Sequence, residues 1–138
     1  GVPQERDASG SPSEGHKSFE PHPIQGWTPD FIPLVLQETL DKGNYDELIP
    51  IPGPEGIAWS QKLAQQEGIF TGISGGSTFA VAMKVAEKAE PGSVILCMLP
   101  DTGERYLSSP LFENIVEDMT DEEIALSLST PGYHMPDS

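Results

Sequence analysis

Internal disulfides are excluded, because the chain holds one cysteine, Cys97, and a single thiol cannot pair within its own molecule. A lone cysteine also leans toward a reducing compartment. Cations are scarce: seven Lys and Arg stand against 22 Asp and Glu, a formal net charge of −15. That balance argues against non-specific nucleic-acid binding, which rests on a basic surface that neutralises phosphates, and it suits a protein that stays away from anionic membranes. Long apolar runs are missing too, since the longest, Val94 to Pro100, is far below the roughly 20 residues that span a bilayer. No basic, then apolar, then small-residue leader opens the sequence. A cytoplasmic location is the expectation, with an organelle as the alternative if a transit peptide precedes Gly1. The three histidines, His16, His22 and His134, are too scattered for a metal site, and no His/Cys/carboxylate group has ligand spacing. Position suggests no Ser/His/Asp arrangement either.

What is present fits one domain with a real core: 138 residues, 36 % of them hydrophobic. Residues 1–23 are polar and rich in Pro, Gly and Ser, which reads as a surface loop. Residues 24–112 carry the periodic segments, and residues 113–138 form an acidic tail. Within the middle part, Leu34 to Leu40 suits a short helix stopped near Gly43. Asp46 to Pro52 is a candidate strand whose prolines put it at an edge. Gly53-Pro54-Glu55 resembles a helix start, and Gly68 a stop. A short strand over Ile69 to Ile73 leads into a glycine turn, and a helix follows from Ser77 to Ala89. That helix has so little polar face that packing on most sides is expected. Ser93 to Leu99 reads as a strand covered on both faces, because its apolar residues do not alternate with polar ones. Cys97 in such a strand would be an inert core residue. Thr120-Asp-Glu-Glu123 is a capping box that opens a short helix through Leu128. The tail acids, among them Glu117, Asp118, Asp121 and Glu122, are most simply a solvated face. Helix and strand order argues α/β, with more sheet demanded by the buried strand than the visible strands supply.

The densest chemical signal is Gly72-Ile73-Ser74-Gly75-Gly76-Ser77, a Gly/Ser turn that opens an apolar helix. Such a turn lets backbone and a small hydroxyl approach a ligand at the positive end of a helix. It lacks the lysine of a Walker loop and the spacing of a dinucleotide loop. It resembles the "G-I-S-S-G-A" turn of the cysteine synthase / cystathionine β-synthase family of pyridoxal-phosphate enzymes. Two further segments carry the same resemblance. Pro23-Ile24-Gln25-Gly26-Trp27-Thr28-Pro29-Asp30-Phe31-Ile32-Pro33 is similar to the family's "K-I-Q-G-I-G-A-G-F-I-P", departing from it at Trp27 to Asp30. Leu99-Pro100-Asp101-Thr102-Gly103-Glu104-Arg105-Tyr106-Leu107-Ser108, followed by Pro110-Leu111-Phe112, is similar to the "L-P-[SD]-x-G-E-R-Y-L-S-T-x-L-F" signature of cysteine synthases. All three fall in the family's order, over residues 20 to 112.

The resemblance implies part of a fold-type II (tryptophan synthase β-like) enzyme: an incomplete open sheet with flanking helices. It also implies pyridoxal 5'-phosphate as cofactor, with Ser74 against the pyridine nitrogen and Gly26 letting backbone approach the substrate side. A serine hydroxyl can hydrogen-bond an unprotonated ring nitrogen but is no anionic partner for a pyridinium. The ring is then a weaker electron sink, which suits β-elimination and β-addition, as in making cysteine from O-acetylserine and sulfide. For Ser74 the structural alternative is a helix N-cap, and for Gly26 an ordinary turn glycine. Arg105 and Glu104 fit an ion pair or cap, and Tyr106 a core position. The five lysines, Lys17, Lys42, Lys62, Lys84 and Lys88, lack the family's Schiff-base context. The expectation is therefore a carboxy-terminal part with no catalytic residue of its own, inactive until an amino-terminal part completes it. A homodimer is implied, and serine acetyltransferase is a partner of some family members. The competing readings are a cystathionine β-synthase-like enzyme, favoured by Ser77-Thr78, and a non-catalytic remnant acting as an interaction module. The departure from Trp27 to Asp30 leaves room for a nucleophile other than sulfide.

Overall fold

Proline and glycine set the bounds of the helices, as their backbone preferences dictate. In a computed structural model of the chain, describing residues 4–24, 26, 27 and 29–129, helix α1 (Leu34–Lys42) follows Pro33 and stops at Gly43. The left-handed φ of +62° at Gly43 lets its N–H reach back to the Leu40 carbonyl. Helix α2 (Gly53–Glu67) has Pro54 and Glu55 in its first turn and ends at Gly68, φ +67°. Helix α3 (Ile73–Ala86) begins after a five-residue connection, residues 68–72. Helix α4 (Asp121–Ser129) starts at the expected capping box. There the Thr120 N–H donates to Glu123 Oε2 (2.7 Å), and the Glu123 N–H to Thr120 Oγ1 (3.3 Å).

Helices α2 and α3 pack as a pair, and small residues set how close they come. A Cβ on Gly76 would strike the Gly56 carbonyl and the Ser60 backbone, and one on Gly56 would strike Ser77. Hydroxyls are buried in this contact with local partners. Ser60 Oγ donates to the Thr71 carbonyl (2.7 Å), and Ser77 Oγ to the Ile73 carbonyl (2.8 Å). Lys84 Nζ ties α3 to the start of α2 through Glu55 (2.9 Å). Beside the pair, Ile24, Ile73 and Leu111 form the core, flanked by Ile57, Tyr106 and Phe112.

The sheet half of the α/β expectation does not form among the described residues. Pairing there is limited to two isolated bridges, Arg6 with Pro12 and Thr71 with Thr102. The expected strands at Asp46 to Pro52 and at Ser93 to Leu99 are irregular chain with no ladder among the described residues. Val94 and Leu96 are 96 % and 97 % exposed, so the apolar run is uncovered rather than sandwiched. The physical reason is that a strand needs neighbours on its edges and faces, and no other segment among the described residues supplies them. Cys97 is accordingly half-buried rather than deep in a core. The strand expected over Ile69 to Ile73 shrinks to the Thr71 bridge, because the helix starts at Ile73, not Ser77. Helix α3 also packs on one side only, leaving Met83 and Val85 exposed. No helix among the described residues is long and apolar enough to cross a membrane.

Candidate cofactor cleft

The three sequence segments meet at one cleft of about 970 Å³. The first segment contributes Pro23, Ile24, Gly26 and Trp27 to its wall, and the glycine turn contributes Ile73 and Ser74. The third contributes Asp101, Arg105 and Tyr106 together with Pro100, Ser109 and Pro110, while Ile57 of α2 completes the lining. The backbone itself joins two of the segments. Gly72 N–H donates to the Asp101 carbonyl (3.3 Å), Thr71 Oγ1 to the same carbonyl (2.9 Å), and Gly103 N–H to the Phe70 carbonyl (3.1 Å). Gly72 and Gly103 permit this contact, because a Cβ on either would collide with the ring of Tyr106 or Phe70.

Ser74 lies in the first turn of α3, two residues beyond the N-cap Gly72. The N-cap reading of Ser74 is thereby corrected: Gly72 holds that position and makes no side-chain cap bond. Ser74 is half-buried and borders the cleft, and none of the hydrogen bonds among the described residues uses its hydroxyl. A free hydroxyl at the positive end of a helix is suited to a polar ligand atom. Gly26 also borders the cleft, and a Cβ there would meet nothing within 4 Å. Among the described residues, therefore, no neighbour excludes a side chain at position 26.

Asp101 organises the opposite wall, a role that the motif alone did not assign. Its carboxylate accepts the Tyr106 hydroxyl (3.1 Å) and faces Arg105 Nε (3.5 Å) and the Thr102 N–H (2.9 Å). Burial pushes the Tyr106 phenol above its ordinary value, helped by its bond to Asp101 and the charge there. Tyr106 is thus a wall residue of the cleft as well as a neighbour of the core. Glu104 takes no part in the ion pair; it accepts a bond from the Thr102 hydroxyl, which holds its carboxyl below the usual range. Cys97 is outside the cleft, and partial burial raises its thiol pKa.

None of the five lysines borders the cleft. Lys17, Lys42 and Lys84 pair with Glu5, Glu38 and Glu55, and Lys62 sits 4.4 Å over the Trp59 ring. Among the described residues no group of His, Cys, Asp and Glu could hold a metal ion. His16 and His22 fall in that description, whereas His134 lies outside the described residues, as do Gln25 and Thr28 of the first segment.

No family model matches the chain. Individual proteins do. It is 46 % identical over 112 residues to O-ureido-L-serine synthase of Streptomyces lavendulae, covering 81 % of this chain and 33 % of that one. It is 37 % identical over 109 residues to a probable cysteine synthase of Bacillus subtilis, covering 79 % and 34 %. The solved structure of O-ureido-L-serine synthase superposes with a TM-score of 0.66 over 77 % of this chain and 32 % of that one. An O-acetylserine dependent cystathionine β-synthase from Helicobacter pylori superposes with a TM-score of 0.57 at 34 % identity, over 67 % and 29 %. The chain belongs to the cysteine synthase / cystathionine β-synthase family of pyridoxal-phosphate enzymes. It spans about a third of the length of the curated relatives it matches.

Proposed function

We propose that this chain forms one wall of a pyridoxal-phosphate site that replaces the β-substituent of an activated serine, in the manner of a cysteine synthase. The observation that carries the reading is the Ser74 hydroxyl, unused among the described residues and bordering the cleft where all three motif segments meet. The residues fit the ring-nitrogen end of the cofactor, since a neutral hydroxyl can donate to an unprotonated pyridine nitrogen. When bound, the cofactor would supply the electron sink for losing and regaining the β-substituent. Ser74 would orient the ring, while Asp101 would fix Tyr106 and Arg105 along the facing wall. The Schiff-base lysine would come from a further stretch of polypeptide, because no lysine of this chain borders the cleft. The acceptor would be O-acetylserine or a related ester, with sulfide as the nucleophile of a cysteine synthase. Homodimerisation and docking of a serine acetyltransferase tail belong to this same reading.

A second enzymatic reading is cystathionine β-synthase-like chemistry, for which Ser77-Thr78 in the glycine turn speaks. Comparing sulfide with homocysteine as nucleophile separates the two. The main reading is tested by an intact-mass inventory of every polypeptide purified with this chain, with a visible absorption spectrum of the same sample. A second, lysine-bearing chain or segment together with the band of a bound cofactor is expected. A single colourless species would overturn the reading and favour a non-catalytic interaction module.

A further inference from the structure

Helix α3 begins without a cap of its own. Its N-cap Gly72 makes no side-chain cap bond, and Gly75 and Gly76 follow Ser74 in the first turn. Glycine leaves the backbone more freedom than any other residue, so local sequence alone does not fix where Ser74 stands. A serine side chain has a single rotor before its hydroxyl, so the reach of that hydroxyl is set by the backbone beneath it. The fixing comes from outside the helix. The Tyr106 ring fills the space that a side chain at Gly72 would take, and the Thr71 side chain fills that at Gly75. The two contacts fall on either side of Ser74 in the chain.

Both contacts are tied to Asp101. Its carbonyl accepts the Thr71 hydroxyl (2.9 Å) and the Gly72 N–H (3.3 Å). Its carboxylate accepts the Tyr106 hydroxyl (3.1 Å) and the Thr102 N–H (2.9 Å), with Arg105 Nε beside it at 3.5 Å. Asp101 and Tyr106 therefore line the cleft with polar atoms already spent on each other, whereas the Ser74 hydroxyl in the same cleft is unused among the described residues. We propose that Asp101 and Tyr106 are positioning residues: they clamp the first turn of α3 and so fix the Ser74 hydroxyl where it meets the ring nitrogen. The inference deepens the reading in which Ser74 orients the cofactor ring, and rests on it. A hydrogen bond weakens steeply once its angle falls below about 120°, so an unclamped turn loses that bond before it loses the fold.

The test is a double-mutant cycle on cofactor affinity, read by spectroscopic titration of the protein together with the polypeptide that completes its site. Tyr106→Phe keeps the ring against Gly72 and drops the tie to Asp101, while Thr71→Val drops the other tie. Each should weaken cofactor binding about threefold when Ser74 is present, and no more than Ser74→Ala itself does. In the Ser74→Ala background each should change it by less than about 1.5-fold, because no hydroxyl is left to position. A merely structural role would lower affinity equally in both backgrounds. Coupling of either variant to Ser74 supports the assignment. Additive losses, or no loss, from both variants overturn it alone. If Ser74→Ala leaves the affinity unchanged, or the assembly never takes up the cofactor, the proposed role of Ser74 and this assignment fall together.

Discussion

Ser74 and Gly76 sit two positions apart on α3 and have opposite demands placed on them. The Ser74 hydroxyl is unused among the described residues, so Ser74→Ala should leave unfolding stability within about 0.5 kcal/mol. In the completed assembly, the same change should weaken cofactor binding about three- to tenfold, the worth of one hydrogen bond, read by spectroscopic titration. Gly76 faces backbone that cannot move aside. Gly76→Ala should cost about 1–3 kcal/mol, seen as a lower denaturant midpoint, whereas Gly26→Ala, with open space around it, should leave that midpoint in place. Ser74 and Gly26 could both be picked out of the sequence because each falls inside a segment that resembles a family motif. Asp101 could not, since its work depends on a tyrosine and a backbone turn that only the folded chain brings beside it. Trp27 was visible as a departure from a pattern, but its place between two cavities was not.

Helices were readable because their determinants are local. Gly43 and Gly68 end α1 and α2 at the left-handed positions that glycine favours, and the Thr120–Glu123 box opens α4. Strands were not readable in the same way. An apolar run such as Val94 to Leu99 states a demand for cover, and the cover is non-local. The α4 box also yields a pH dependence. Bonds from the Thr120 N–H and hydroxyl lower the Glu123 carboxyl pKa in the folded state. Its contribution is therefore fully present above the ordinary glutamate value and is lost as pH falls through the lowered folded one. Helical signal from residues 121–129, followed by NMR shifts, should fade on acidification over that window. Thr120→Ala should give the faded signal at neutral pH, and an unchanged helix in that variant would mean the box is not what holds α4.

At the scale of the whole molecule, many large apolar side chains among the described residues lie outside the core and are exposed. Val94, Leu96 and Met98 form an exposed apolar stretch of irregular chain, the kind of surface that drives association. Leu96→Lys should reduce self-association of the isolated chain in sedimentation experiments, with little change in stability because Leu96 is 97 % exposed. An equal tendency to associate in that variant would place the sticky surface elsewhere. The bonds that tie the third motif to the glycine turn have one more consequence, in the order of events during synthesis. The Thr71–Asp101 bond joins positions 30 apart, and the Gln61–Leu111 bond positions 50 apart. A nascent chain that has reached Leu99 already contains both packed helices but none of the facing wall. At ribosomal speed the residues from Pro100 to Pro110 follow within about one second. The cleft is thus completed only after both helices have been made, and a premature stop just after Leu99 would remove its facing wall.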